Sequence, residues 1–475
     1  MNRKLNIDLV LSADDGDPLR HTSPFSPLSL AILAASSPGH NYRIIDMLCE
    51  NLEMDPLTDL AGISIRVSAE RTAFRIADEY RRLGIKVILG GPQASANPFE
   101  SLKHADAVAV GEGEKLWKVI LDDFVNDRLR DFYVCSPEKF KGNGYRTFEL
   151  DSLPGLSGLP LPRRDLFKKK YTFDMVYASR GCAINCDFCS VPGMFGTKYR
   201  FRPEEEVVNE IRTLKGYFYL IDDTVFGRPS TFDYYLSLYN KIARTGRPRY
   251  WIGQANLDAS AHEKGREVIK KASDAGLIYL AIGMESIDKE VLRKSGSISK
   301  MGIGKDEDLL SRMKQNLQFI QRQGILVSGW FAIGYEDDDL ETYRRTYEFC
   351  REMKIMPVFT PVHALMGTRL YERLKSKGAL RDSSVNITNV NHPGITNGQA
   401  LDALEEVAAK GYSLKEILRR TFHYGSILIK NRNLPGEIIH KTIFALITQL
   451  RLKQIVNQEN RKLREKIQSG TLKDA

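Results

Sequence analysis

Long apolar runs are missing from this chain. No stretch of about 20 apolar residues occurs, so no segment has the length and composition of a membrane-crossing helix. Cysteine is scarce too: six residues in 475 do not make a disulfide scaffold. The opening segment MNRKLNIDLVLSADDGD has a short apolar stretch with acids directly behind it, the pattern of a first strand rather than a signal peptide. A reducing, cytoplasmic setting is therefore expected, where clustered cysteines bind metal or do redox chemistry. No charge of one sign dominates. The net +9 is mild for this length and favours a solvated basic surface over a nucleic-acid, anionic-lipid or acidic-cofactor partner. Apolar residues make up 42%, enough for packed cores, and the length suggests roughly two to four domains.

The first third alternates short apolar runs with helical patterns. Strands are expected at 7–13, 42–48, 60–65, 85–91 and 107–114, and helices at 27–36 and 69–84, the latter closed by Gly84. Apolar strands alternating with helices predict a doubly wound parallel sheet over residues 1–135, which binds ligands beyond its C-terminal strand ends. Those ends carry Ser64, then Gly90, Gly91 and Pro92, then Gly111, Glu112, Gly113 and Glu114. Residues 136–172, rich in Gly, Pro and charge, are expected as a linker. Alternation resumes over 173–378, with strand candidates at 173–179, 217–223, 250–256, 277–286, 326–334 and 356–365. Six βα units without a nucleotide-type GxGxxG predict a partial (β/α)6, TIM-like barrel with its active residues at the C-terminal strand ends. Residues 379–475 are expected to be mostly helical. In 437–467, Ile439, Ile443, Ile447 and Leu450 share one stripe, expected to pack or cap the barrel in preference to lying on a membrane surface.

Half of the cysteines fall in eight positions, Cys182, Cys186 and Cys189 of SRGCAINCDFCSVPG. A structural zinc site wants four ligands, usually in two pairs, yet no second pair appears and no histidine lies between His104 and His262. Three thiolates on one loop suit an iron–sulfur cluster instead. A cube of four irons held by three cysteines keeps one iron open for substrate chemistry.

The C-x3-C-x-aromatic-C pattern, with Phe188 before the last cysteine, resembles the signature of the radical S-adenosylmethionine (SAM) superfamily. The resemblance implies a 4Fe–4S cluster on Cys182, Cys186 and Cys189, with SAM chelated at the open iron and cleaved to methionine and a 5′-deoxyadenosyl radical. It also implies further SAM contacts. Asp222 and Asp223 in LIDDT resemble the segment that meets the methionine amino group. Glu285 in IGMES resembles the polar residue that holds the ribose, and Gln254 could join them. The stretch 329–342, beginning Gly329-Trp330-Phe331, resembles the segment near adenine, and 363–372 resembles the closing strand.

The sheet of residues 1–135 is similar to the cobalamin-binding, Rossmann-like domain that precedes the barrel in one radical SAM class. The resemblance implies cobalamin near Ser64, Gly90, Gly91, Pro92, Gly111, Glu112 and Gly113. Asp14, Asp15 and His21 do not make the Asp-x-His-x-x-Gly spacing that supplies a cobalt ligand, so cobalamin is expected without a lower histidine.

Together these imply a cobalamin-dependent radical SAM methyltransferase acting on an unactivated carbon of a small-molecule or lipid substrate, in a cavity between sheet and barrel mouth, with flavodoxin or ferredoxin as electron donor. Cyclisation, rearrangement or carbon–carbon coupling are the alternatives within the class. RNA modification is disfavoured because Cys49, Cys135 and Cys350 are scattered rather than grouped for a second cluster. An iron–sulfur electron carrier or sensor is the non-enzymatic alternative.

Overall fold

The computed structural model describes residues 3–14, 16–17, 19–245, 250–304, 306–381, 387–390 and 394–472. Asp15 lies outside them. The chain divides into two compact units, residues 1–183 with 190–219, and residues 184–189 with 220–475.

The first unit is built on seven strands: β1 (Asn6–Leu11), β2 (Asn41–Asp46), β3 (Leu60–Ser64), β4 (Lys86–Gly90), β5 (Ala107–Gly111), β6 (Phe132–Cys135) and β7 (Thr147–Glu149), in the order β2-β1-β3-β4-β5-β6-β7. Every adjacent pair is parallel. A parallel sheet is covered on both faces, which is why its strands are continuous Val, Ile, Leu and Ala runs. One face packs Ile63, Val87 and Leu89 on Ala73, Ile76 and Tyr80 of α2 (Glu70–Arg82). The other packs Leu9, Leu60 and Ile88 on Leu30 and Ala34 of α1 (Leu28–Ser36) and Leu116, Trp117 and Ile120 of α3 (Gly113–Val125). The doubly wound sheet is as expected, although β6 was not among the expected strands and the linker is corrected. β7 lies within the supposed linker 136–172, yet pairs with β6 from Phe132↔Thr147 to Val134↔Glu149, so this stretch completes the sheet before it leaves.

The same unit holds β8 (Phe173–Val176), β9 (Ser179–Arg180), β10 (Arg200–Phe201), α4 (Glu204–Thr213) and nearly all of β11 (Tyr217–Leu220), the neighbour of β8 in the second sheet. Three glutamates open α4, where the helix dipole favours negative charge. Its buried Glu210 takes Arg164 Nη2 at 2.6 Å and Arg202 Nη1 at 2.7 Å; Arg164 also donates to the Met175 carbonyl and Arg202 to that of Tyr177. The helix is thereby tied to the strand that leads into the cysteine loop.

In the second unit, β12 (Trp251–Ala255), β13 (Leu277–Glu285), β14 (Leu326–Ile333) and β15 (Met356–Pro361) follow one another in a parallel sheet. Amphipathic helices α5 (Phe232–Ala243), α6 (Glu263–Asp274), α7 (Leu309–Arg322) and α8 (Leu340–Met353) alternate with them. Asp308 caps α7, and Asp339 with Thr342 forms a capping box on α8. Helices α9 (Asn397–Gly411), α10 (Leu414–Lys430) and α11 (Pro435–Gln468) complete the unit. No helix is long and apolar enough to cross a membrane among the described residues. The Ile439, Ile443, Ile447 and Leu450 stripe does not pack inward as expected: all four are exposed, and α11 buries Ala445, Gln449 and Asn460 instead. Gln449 is drawn in because its amide pairs with Arg420 and Thr421 of α10.

Replacing Glu210 by alanine strands the buried Arg202 and is expected to cost about 3–5 kcal/mol, read as a lowered denaturation midpoint in urea.

Candidate functional site

The cysteine loop leaves β9, whose two residues pair with β10 as Ser179↔Phe201 and Arg180↔Arg200. Two arginines directly opposite each other repel. Here they are neutralised by the turn after β5. Arg180 Nη1 lies 2.7 Å from Glu112 Oε2, and its Nη2 bonds Glu114; Arg200 bonds Glu112 and, at 2.8 Å, the Pro154 carbonyl. The Arg180 guanidinium stacks 4.5 Å over Tyr177. Burial alone would lower the Arg180 pKa, but Glu114 and Glu112 outweigh it and the net shift is upward. Burial likewise opposes ionisation of Glu114, yet Arg180 holds its carboxyl below the ordinary value.

Gly181 comes next, at φ +96°, and a Cβ there would sit 2.3 Å from the Lys198 carbonyl oxygen. Only glycine fits. The Cys182 amide donates to the Gly196 carbonyl at 3.3 Å. Farther along, Asn185 takes a left-handed conformation, and the Cys189 amide donates to the Cys186 carbonyl at 3.2 Å. Asp187, between them, bonds Arg373 and receives the Leu370 amide on its carbonyl, while Arg369 caps the Asn185 carbonyl. Phe188 meets Tyr335 edge-on at 6.3 Å between centroids.

Glu285 ends β13 at a register shift and is itself left-handed, φ +62°. A non-glycine residue in that conformation is uncommon and marks places where a side chain is aimed at a cost in backbone energy. Its carboxylate takes Lys300 Nζ at 2.5 Å. Lys300 also lies 5.9 Å from the Phe188 ring centre. Burial works against its charge, but Glu285, Cys186 and Cys189 more than compensate, and its pKa is raised.

The other expected SAM-contacting residues are placed as follows. Asp222 is buried and accepts from the Tyr235 hydroxyl at 2.8 Å, whereas Asp223 is half-buried. Gln254 is half-buried, and its carbonyl receives the Val225 amide. Gly329 lies in the core, where a Cβ would strike Ile355 and Phe331 at 2.9 Å. Phe331 is buried against Phe359.

Residues just past the ends of β11 and β12 were not anticipated. Thr224 Oγ1, Asn256 Nδ2, Ser260 Oγ and both Asp258 carboxylate oxygens are buried without a hydrogen-bond partner among the described residues, although Arg228 Nε approaches Asp258 Oδ2 at 3.4 Å. Burial pushes the Asp258 pKa up to about 6. Buried polar orphans at strand ends are the condition a polar ligand relieves. The QANLDAS stretch carried the signal, as polar residues packed directly behind an apolar strand.

In the first sheet, Ser64, Gly90 and Gly111 do end β3, β4 and β5, with Ser64↔Gly90 in register. Gly91 and Pro92 start a short helix, and Gly113 starts α3. Their small size also has internal causes. A Cβ on Gly91 would lie 2.7 Å from Ser64 Oγ, and one on Gly111 would lie 1.9 Å from the Cys135 carbonyl oxygen. Glu112 is fully engaged with the two arginines. His21 is exposed, and Asp14 accepts from Thr72.

The donor set fits an iron–sulfur cluster. The three thiols sit on one loop whose bends are imposed by Gly181 and Asn185, and the Lys300 ammonium is felt by two of them, which suits an anionic centre. Two of the remaining thiols behave as buried apolar groups: burial raises Cys135 to about 11 and lifts Cys350 well above its ordinary value, whereas Cys49 is half-buried and accepts from Lys169 Nζ at 3.5 Å.

Comparison with known proteins agrees. Residues 176–350 match the radical SAM superfamily, so the chain carries a radical SAM domain; that family implies a 4Fe–4S cluster and SAM. The chain is 25% identical over 445 residues to bacteriochlorophyllide d C-8(2)-methyltransferase of Chlorobaculum tepidum, covering 88% of this chain and 92% of that one. It is 24% identical over 412 residues to the hopanoid C-2 methylase of Rhodopseudomonas palustris, covering 83% and 72%. Its fold is similar to that of the cobalamin-dependent SAM radical enzyme OxsB, solved with aqua-cobalamin and SAM bound, at a TM-score of 0.68 and 14% identity over 100% of this chain and 82% of that one.

Gly181→Ala is expected to displace the Cys182 loop at a cost of about 1–3 kcal/mol. Iron retained after anaerobic reconstitution and desalting should fall well below wild type, while the far-ultraviolet circular dichroism is kept.

Proposed function

We propose that this radical SAM enzyme is a cobalamin-dependent methyltransferase that places a methyl group on an unactivated carbon of an apolar small molecule or lipid. The observation that carries the reading is the cysteine loop, entered at Gly181, with Lys300 acting on Cys186 and Cys189 while paired to Glu285. Support for methyl transfer comes from the relatives named as methyltransferases of bacteriochlorophyllide and hopanoid. Support for cobalamin comes from the doubly wound sheet and its likeness to OxsB.

Cys182, Cys186 and Cys189 are assigned to the cluster. When bound, the cluster and SAM supply a hydrogen-abstracting radical and cobalamin supplies the methyl group; the hard chemistry belongs to the cofactors. The chain's own work is to bind, orient and exclude water. Glu285 is assigned to the ribose hydroxyls: a carboxylate accepts from both, and the left-handed backbone aims it. Of the two aspartates after β11, Asp223 is the better partner for the methionine ammonium, because Asp222 is buried under Tyr235. Asn256 and Asp258, as buried groups short of partners, join the polar lining. The backbone of residues 329–331 is assigned to adenine. On the sheet, Ser64, Gly90, Gly91, Pro92, Gly111 and Gly113 are assigned to cobalamin, with no histidine on the lower face. Glu112 is placed beside them and also pairs with Arg180 and Arg200.

Two variants test the reading. Cys186→Ala should abolish the brown cluster absorbance and SAM cleavage together. Glu285→Ala should keep the absorbance but weaken SAM binding at least tenfold, roughly the loss of one charge-assisted hydrogen bond. Unchanged SAM affinity in Glu285→Ala would refute its assignment, and a full cluster in Cys186→Ala would refute the site.

A further inference from the structure

The last two helices leave an apolar face uncovered. On α10, Leu414, Leu418, Phe422 and Ile429 fall within a sector of about 80° at 100° per residue. Leu414, Phe422 and Ile429 are 66%, 74% and 64% exposed. On α11, Ile439, Ile443, Ile447 and Leu450 form a second stripe of the same width, 47–60% exposed. Neither stripe is the side that packs. α10 turns Ile417, Tyr424 and Leu428 inward, with the Tyr424 hydroxyl on the Gly324 carbonyl at 3.0 Å, and α11 turns Ala445 and Gln449 inward. Eight large apolar side chains on two adjoining helices far exceed the scattered exposed residues of an ordinary surface.

Charge identifies the occupant. Residues 414–468 contain twelve Lys and Arg against four Asp and Glu, so nearly the whole +9 of the chain is concentrated here. One of the four acids, Glu416, is buried under Arg419 and Arg351. Lys415 and Arg419 flank the α10 stripe, and Arg451 and Lys453 flank that of α11. This is the composition of a helix face that lies in a lipid interface: apolar side chains enter the acyl boundary while basic side chains reach the phosphates. A second copy of the chain is a poorer fit, because a two-fold contact would set this basic surface against itself.

We propose that the α10–α11 face docks on an anionic membrane surface. The inference stands on this helical pair alone and is independent of the cofactor assignments.

The test is co-sedimentation of the full chain with vesicles of phosphatidylcholine, alone or mixed with phosphatidylserine. Wild type should bind the mixed vesicles at least about tenfold more tightly than the neutral ones, and lose that preference in about 1 M salt, where screening shortens to about 3 Å. Phe422→Ser combined with Ile443→Ser, both at exposed positions, should weaken binding at least about tenfold. Lys415→Glu combined with Arg451→Glu should abolish the preference for phosphatidylserine with the apolar face intact. No vesicle binding, or equal binding to both compositions, overturns the proposal. So does a concentration-dependent dimer, seen by sedimentation velocity, that the Phe422→Ser/Ile443→Ser variant dissolves while vesicles leave it unbound.

Discussion

A guanidinium taken out of water must be paired, and Arg180 is paired twice. Glu112 and Glu114 meet it from the turn after β5, and Glu112 also holds Arg200 on the facing strand. These four charges hold the point at which the chain leaves β9 and enters the cysteine loop. Gly181 follows at once, where no other residue fits. The first sheet therefore has a structural task of its own: its strand-end turn fixes the start of the segment that bears Cys182. The ion cluster couples the two motifs that were most conspicuous in the chain.

Within the second unit, Glu285 is held in the same way. Lys300 neutralises Glu285 and brings positive charge to bear on Cys186 and Cys189. The Glu285 carboxylate is thus paired and aimed before any ligand arrives, which lowers the ordering cost of binding. Buried Asn256 and Asp258, short of partners, add polar groups that a bound ligand could satisfy. Strand ends with strained backbone, paired carboxylates and unsatisfied donors describe a site built for a polar ligand over an apolar core.

Much of this was legible in the chain because burial on both faces leaves a plain trace. Every strand expected from an apolar run, from β1 through β5 and in the six-unit series, is present within a few residues, whereas β6 (Phe132–Cys135) was not among those expected. β7 escaped notice because three residues, Thr147–Glu149, carry no period and sit among glycines and charges. The β9–β10 ladder is shorter still. The pairing of Glu112 with Arg180 joins positions 68 apart, and no local pattern announces such a contact. Lys300 was missed for the same reason: it lies on a short turn, and only the fold brings it to Glu285. The stripe on α11 was seen correctly as a stripe, but periodicity says which residues share a face and not whether that face is covered.

The most direct test of the two-cofactor account is a count of metal per chain after anaerobic reconstitution with iron, sulfide and hydroxocobalamin and removal of the excess. The account predicts about four irons, the content of one cube, together with stoichiometric cobalt. A cube with no cobalt would contradict methyl transfer through cobalamin and leave a radical SAM barrel whose first sheet serves only to hold the cysteine loop.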